Sequence, residues 1–426
     1  MTPALLESRT SRDPRAAAKL ASSVAFLSLA LCGFLGVGLV LTGPLLLPLV
    51  GRSFDDAKLH SALVMLAWVS PILVLSGICI LGNSILTSIG KPRIAAAAQL
   101  VVPVAAVGVL LALGGTLGVR SVALGMVLGS IVNLALLVFY LGKEGLSLRP
   151  AWAGAPGKTL REYGWLVIAA VCANVAIPIN YSFASYLPNG SVAAWAIGNR
   201  VVLFFTGLIG IGITSVVLPH FSSFIAQKRS RDLKRELLFF VMAGTMISVV
   251  LATALSLASD LIIGLAFEGG RFVAEDTALV GRVVRYGIVQ LPFVTMSLLF
   301  VKFAVASKRA WQVLLASLLG VCINVLLDEV LLRPMGVAGI ALASALAAGA
   351  SASVMLAVLL AMSSIRWMDA AMLALSWMLF LTLNLCLHYA SIPGIVVSLL
   401  AMAVLFAAFW REWGRAPTEE RLPASA

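Results

Sequence analysis

The stretch KPRIAAAAQLVVPVAAVGVLLALGGTLGVR, residues 91–120, decides the fold. No charged side chain occurs between Arg93 and Arg120, and Gln99 is the only strongly polar residue within 95–115. A helix rises about 1.5 Å per residue, so about 20 apolar residues cross the roughly 30 Å of bilayer hydrocarbon. Lys91-Pro92 before the run and Gly118 after it supply the turns.

Working outward, the same reading gives twelve helical spans: 22–48, 61–89, 95–115, 121–141, 164–187, 192–218, 237–263, 278–306, 311–332, 337–360, 370–388 and 392–410. The composition agrees. The 426 residues are 61% hydrophobic and 11% charged, against about 25% charged in soluble domains. This excludes a soluble enzyme, a nucleic-acid reader and a disordered chain. Cys32, Cys79, Cys172, Cys322 and Cys386 lie in apolar runs, without metal-ligand spacing, and read as small core residues.

The net charge of +12 sorts by topology. With the N-terminus in the cytoplasm, the outer segments hold Arg52, Lys58, Arg120, Arg271, Arg282, Arg285 and Arg333. Arg200 and Lys302 fall within spans, and every other basic residue falls inside, so both termini are expected in the cytoplasm.

The chain also repeats itself at a period near 217 residues. Phe54 to Lys91 is 37 positions and Phe272 to Lys308 is 36; Lys91 to Gly118 is 27 and Lys308 to Gly336 is 28. Spans 1–4 match spans 7–10 in the same orientation, as in carriers whose halves share an axis along the membrane normal. Spans 5 and 6 then lack a counterpart, and symmetry expects two more helices before residue 22. The organisation expected is a cytoplasmic segment 1–21, a four-helix incomplete first lobe 22–141, and a linker 142–163. A six-helix second lobe 164–360, two extra helices within 361–410 and a cytoplasmic tail 411–426 complete it.

Ionisable residues inside a bilayer are costly and mark cavities or partners. Arg200 lies about 12 Å into its span at 1.5 Å per residue. A guanidinium there suits a diphosphate, which it grips bidentately; a structural arginine paired with helix-end carbonyls is the alternative. Lys302, near the inner end of its span, reads equally as a snorkelling anchor. Arg282 and Arg285 share a face and read as interfacial anchors or as an outer anion vestibule. Asn324 and Asp328 share a helix face and together offer hard-cation or proton chemistry, although Glu329 beside them suggests that the span simply ends there. The stripes Gly33-x-x-Gly36-x-Gly38, Gly125-x-x-x-Gly129 and Gly207-x-x-Gly210-x-Gly212 are expected to allow close helix packing. No catalytic or nucleotide-binding motif is present.

One region carries a resemblance: Ile179-Asn180-Tyr181-Ser182-Phe183-Ala184-Ser185, Gly190-Ser191-Val192-Ala193-Ala194-Trp195, Asn199-Arg200, Gly207-Leu208-Ile209-Gly210-Ile211-Gly212 and Val217-Leu218-Pro219-His220-Phe221-Ser222. It resembles the MurJ-type lipid II flippases of the MOP superfamily, and Phe267-Glu268-Gly269-Gly270-Arg271-Phe272 resembles the family's outer loop. The likeness runs from Thr2 to about Leu360. It implies an all-α polytopic membrane protein whose twelve spans correspond to family helices 3–14. The cavity arginines of the first two family helices then have no position here.

The resemblance further implies a flippase for undecaprenyl-diphosphate-linked peptidoglycan precursor, working by alternating access in the bacterial inner membrane, and not an enzyme. Arg200 matches the family's cavity arginine, Asn199 stands where an acid is usual, and Lys302 matches a basic position. These three form the expected substrate site. Some members bind sodium; the matching positions are Asn180, Asn324, Asp328, Ser344 and the Ile340 carbonyl. Asn180 is neutral where the sodium-binding pattern has an acid. Sodium is the only cofactor implied. The implied partners are the lipid-linked diphosphate oligosaccharide, membrane lipid and the peptidoglycan-synthesis machinery, with no nucleic acid. The other readings are a MOP-type polysaccharide-lipid flippase, a cation-coupled exporter, or a degenerate, non-transporting partner in envelope synthesis.

Overall fold

The computed structural model describes residues 14–51, 54–144, 157–226, 230–270, 272–306 and 310–362, with some side chains at helix ends excluded. Every regular element among them is helical, apart from a single bridge between Gly269 and Phe272. Among the described residues nine stretches are long and apolar enough to cross a membrane. Spans 370–388 and 392–410 lie outside the described residues. The chain divides into two units between Arg161 and Glu162.

The first unit contains α1 (Pro14–Val50), α2 (Asp56–Ser88), α3 (Pro92–Leu117) and α4 (Arg120–Lys143). The expected cytoplasmic segment 1–21 therefore already contains the start of α1. Asp55 caps α2 by accepting from the Lys58 amide at 3.0 Å. Its core joins Cys79, Ile85 and Leu86 of α2, Ala95 and Ala98 of α3, and Leu137 and Leu141 of α4. Lys91 pairs with Glu144, tying the α2–α3 turn to the end of α4.

The small-residue stripes behave differently from one another. A β-carbon on Gly129 would lie 2.8 Å from the Val102 Cα, so α4 approaches α3 backbone to backbone. Gly33, Gly38, Gly207 and Gly212 would meet nothing within 4 Å, and a β-carbon on Gly36 or Gly210 only ordinary contacts at 3.5–3.6 Å. Close packing was expected at all three stripes; among the described residues it occurs at one of them. Spacing alone does not say whether a helix faces the stripe.

Large apolar side chains on α1 point outward, Phe34 at 76% and Leu41 at 73% exposure. In lipid no hydrophobic force drives such groups inward, so an outward apolar face is what a spanning helix requires.

The second unit holds most of α5 (Gly157–Ser185), then α6 (Ser191–Ala226), α7 (Ser230–Leu257), α8 (Ser259–Phe267) and α9 (Ala274–Gly287). A 3-10 turn (Ile288–Gln290), α10 (Leu291–Ala306), α11 (Ala310–Met335) and α12 (Val337–Met362) follow. α5 begins inside the segment 142–163 read as linker. The main core packs Leu237, Val241 and Met242 of α7 on Met296, Leu299 and Phe300 of α10 and Ala345 and Ala352 of α12. Ser248 and Thr295 share a buried hydrogen bond of 2.8 Å across the α7–α10 seam.

Two expected spans are broken. The span 237–263 divides at Ala258, whose φ of −89° and ψ of 4° leave the helical region. The span 278–306 is interrupted by the 3-10 turn just before Pro292. Proline has no N–H to donate, and its ring crowds the carbonyl four residues back, here Ile288.

The turns support the repeat. Gly118 and Gly336 take φ of +55° and +59°. Each amide donates to the carbonyl four residues earlier, Gly114 at 3.0 Å and Leu332 at 2.8 Å. Each carbonyl accepts from the amide three residues later, Ser121 at 3.1 Å and Gly339 at 3.0 Å. A left-handed conformation is nearly free only for glycine.

Candidate functional site: a polar three-helix junction and the Arg200 face

Two places in the second unit carry the polar residues singled out from the sequence. The first is the face of α6. Ala194, Trp195, Gly198 and Val202 are buried, and Gly198 sits against Val283 of α9. Arg200, Leu203, Phe204 and Leu208 lie on the exposed side of the same helix. Arg200 has no hydrogen-bond or ion-pair partner among the described residues, which does not match the structural reading of helix-end carbonyl pairing. Asn199 is half-buried beside it. Lys302 lies on α10, and its side chain falls outside the described residues.

The second place is the junction of α5, α11 and α12, where the five expected residues converge. Asn324 and Asp328 are one turn apart on α11 and are 2% and 0% exposed. The helix continues to Met335 with Glu329 exposed, so the span does not end at the acid pair. Ile340 and Ser344 are one turn apart on α12, and the Ser344 hydroxyl donates to the Ile340 carbonyl at 3.0 Å. Asn324 Nδ2 lies 3.4 Å from Ser344 Oγ. Asn180 reaches in from α5, two residues after Pro178, and is 5% exposed.

The orientation of the Asn180 amide follows from its neighbours, because its oxygen and nitrogen have the same shape. With the nitrogen on Ser344 at 2.9 Å, the oxygen would face only acceptors. Turned over, the nitrogen donates to Asn324 Oδ1 and Asp328 Oδ2, each at 2.9 Å, and to the Ala176 carbonyl at 3.2 Å. The oxygen then accepts from Ser344 Oγ at 2.9 Å. In the second orientation two N–H groups serve three acceptors, and the one Ser344 proton is shared between the Asn180 oxygen and the Ile340 carbonyl. Asp328 Oδ1 still meets no donor.

A sodium ion needs several oxygens facing one point. Here a nitrogen occupies that point and donates to two of the proposed ligands. The set as arranged does not fit the ion. The Ala176 carbonyl was not expected from the sequence, since backbone acceptors carry no residue signature.

The two outer arginines are placed differently. Arg285 Nη2 lies 2.6 Å from Asp260 Oδ2, and its Nε lies 3.4 Å from Ser259 Oγ. Arg282 stays exposed. In the outer loop the Glu268 carboxylate accepts from Thr277 Oγ1 at 3.2 Å, and Asp276 caps α9 through the Val273 amide at 3.0 Å.

A bundle of apolar spanning helices with polar groups gathered at helix junctions defines a multi-pass membrane protein. A solved structure titled lipid II flippase MurJ, inward closed conformation, superposes with a TM-score of 0.71 at 18% identity, over 97% of this chain and 88% of that one. An inward-facing MATE family transporter of the MOP superfamily gives 0.67 at 14% identity, over 83% and 82%. These likenesses show the fold. The chain belongs to the lipid II flippase MurJ family, whose family model matches residues 2–411. A probable lipid II flippase MurJ of Thermotoga maritima is 27% identical over 53% of this chain and 46% of its own length. That of Synechocystis is 26% identical over 80% of this chain and 67% of its own. The chain thus spans about half of the Thermotoga relative. The family is one of transporters.

Proposed function

We propose that this chain translocates the undecaprenyl-diphosphate-linked peptidoglycan precursor, lipid II, across the bacterial inner membrane by alternating access of its two units. The observation that carries the reading is Arg200. It is a cation without a partner among the described residues, flanked by exposed Leu203, Phe204 and Leu208 on one helix face. A guanidinium in apolar surroundings holds a diphosphate through paired charge-assisted hydrogen bonds. Asn199 and Lys302 supply further polar groups to the head group. The apolar neighbours suit the polyprenyl part of the same molecule. No covalent step is involved. Return of the empty carrier is assigned to membrane potential, which acts on a moving elementary charge at about 2.3 kcal/mol per 100 mV. The partners in this reading are the lipid-linked cargo and the enzymes that make and polymerise it.

The test is complementation of a flippase-depleted bacterial strain. The Arg200→Ala variant is expected to reach the membrane at the parent's level and to fail to support growth. Full growth on that variant removes the assignment. The fold likeness to MATE transporters, together with the buried Asp328, favours a cation-coupled exporter as second reading. Export of cationic drugs by the intact chain, with no growth rescue, would select it.

A further inference from the structure

We propose that the amide nitrogen of Asn180 takes the place of a bound cation at the junction of α5, α11 and α12, so that this junction is held together without sodium.

The argument starts from what converges there. Asn324 Oδ1, Asp328 Oδ2 and the Ala176 carbonyl all face one atom, from 2.9, 2.9 and 3.2 Å. Oxygens from a carboxylate, an amide and a main-chain carbonyl are a hard cation's ligands. The atom they face is nitrogen, and the separations are those of hydrogen bonds. A hard cation such as calcium sits closer to its oxygens, at about 2.3–2.6 Å. The two N–H groups present partial positive charge to the oxygens, and so do on a small scale what an ion does.

The occupants exclude each other. Asn180, Asn324 and Asp328 are 5%, 2% and 0% exposed, so the junction is closed to solvent on the side of all three. Returning the amide oxygen to the centre would set it 2.9 Å from two other oxygens and remove both of their donors. Only a cation among them, or a proton on Asp328, would offset that arrangement. An ion therefore enters only when the amide turns, and the amide faces inward only when no ion is there. Asn180 belongs to α5, whereas its partners belong to α11, so the donation ties the first helix of the unit to the hairpin 144 and 148 positions further on. Ser344 of α12 completes the tie through the amide oxygen.

The consequence for substitution is direct. Asn180→Asp removes both donors and puts a second carboxylate beside Asp328. Two buried carboxylates side by side have to take up a cation or share a proton between them. The inference does not depend on the cargo, because sodium binding is read without any lipid substrate.

The experiment uses the purified full chain in detergent, with equilibrium dialysis against radioactive sodium. Thermal unfolding is followed in sodium chloride and in choline chloride at equal ionic strength. The parent is expected to bind no saturable sodium and to unfold at the same temperature in both salts, within about 1 °C. Asn180→Asp is expected to bind sodium and to unfold at least roughly 2–4 °C higher in sodium than in choline. Saturable sodium binding by the parent, or a sodium-dependent rise in its unfolding temperature, overturns the proposal. So does a folded Asn180→Asp that binds none at alkaline pH, where the two carboxylates no longer share a proton. Should that variant not accumulate, Asn180→Ala decides. It leaves the Asn324 and Asp328 oxygens without that donor and is expected to unfold below the parent in choline; equal stability overturns the proposal.

Discussion

A β-carbon placed on Gly125 of α4 would lie 2.7 Å from the Cα of Ala106 on α3, so these two helices meet main chain to main chain. The Ala105 carbonyl would lie 2.8 Å from the same atom. Neither neighbour is a side-chain end that swings aside. Gly125→Ala is therefore expected to destabilise by about 1–3 kcal/mol through overpacking. Gly33→Ala, with nothing within 4 Å, is expected to be neutral or to gain up to about 1 kcal/mol of helix propensity. Thermal unfolding of the two variants in detergent checks the contrast; equal effects would show that α3 and α4 do not pack as described.

The turns at Gly118 and Gly336 give a paired prediction. Both sit at positive φ with the same hydrogen-bond pattern. Alanine at either position is expected to destabilise by roughly 1–3 kcal/mol, the strain of an L-residue at positive φ. The two losses should agree closely if the turns are structural equivalents. A loss at one position and none at the other would separate them.

Arg285 and Asp260 form an ion pair whose side chains are 39% and 53% exposed. Solvent screens such a pair, and its coupling in a double-mutant cycle is expected at about 0.2–1 kcal/mol. It should weaken further in concentrated salt. Arg282→Ala, by contrast, is expected to leave the unfolding temperature unchanged. A loss there as large as that of Arg285→Ala would contradict the assignment of the pair.

Arg200 offers a test of geometry rather than charge. Arg200→Lys keeps the cation and loses the planar fork that grips two oxygens at once. Growth of a flippase-depleted strain on this variant is expected to fall between that on the parent and that on Arg200→Ala. Growth equal to the parent would mean that charge alone suffices and that the bidentate grip has no part.

How much was legible in the sequence differs between residues. Asn324 and Asp328 were placed on one face correctly because residues four apart on a helix are neighbours whatever surrounds them. The spans were legible because an uninterrupted apolar run has few ways to satisfy its main chain in lipid. For Arg282 and Arg285 the same local rule gives a shared face and nothing more: it says nothing of Asp260, which belongs to another helix. The break at Ala258 lies beside Ser256, Ser259 and Asp260, and the other just before Pro292, but polar residues this few do not end an apolar run of spanning length.

By itself, then, the sequence determined the helical, membrane-spanning character of the chain, the repeat of its turns and the identity of its intramembrane polar residues. All of these rest on composition and on periodicities of a few residues. Only the tertiary structure decided which glycine stripe is used, which arginine is already paired, and which end of the Asn180 amide faces Asp328. Those depend on partners far along the chain, such as Ser344, 164 residues from Asn180. A side chain's role in a closed junction is set by the donors and acceptors that the fold brings to it.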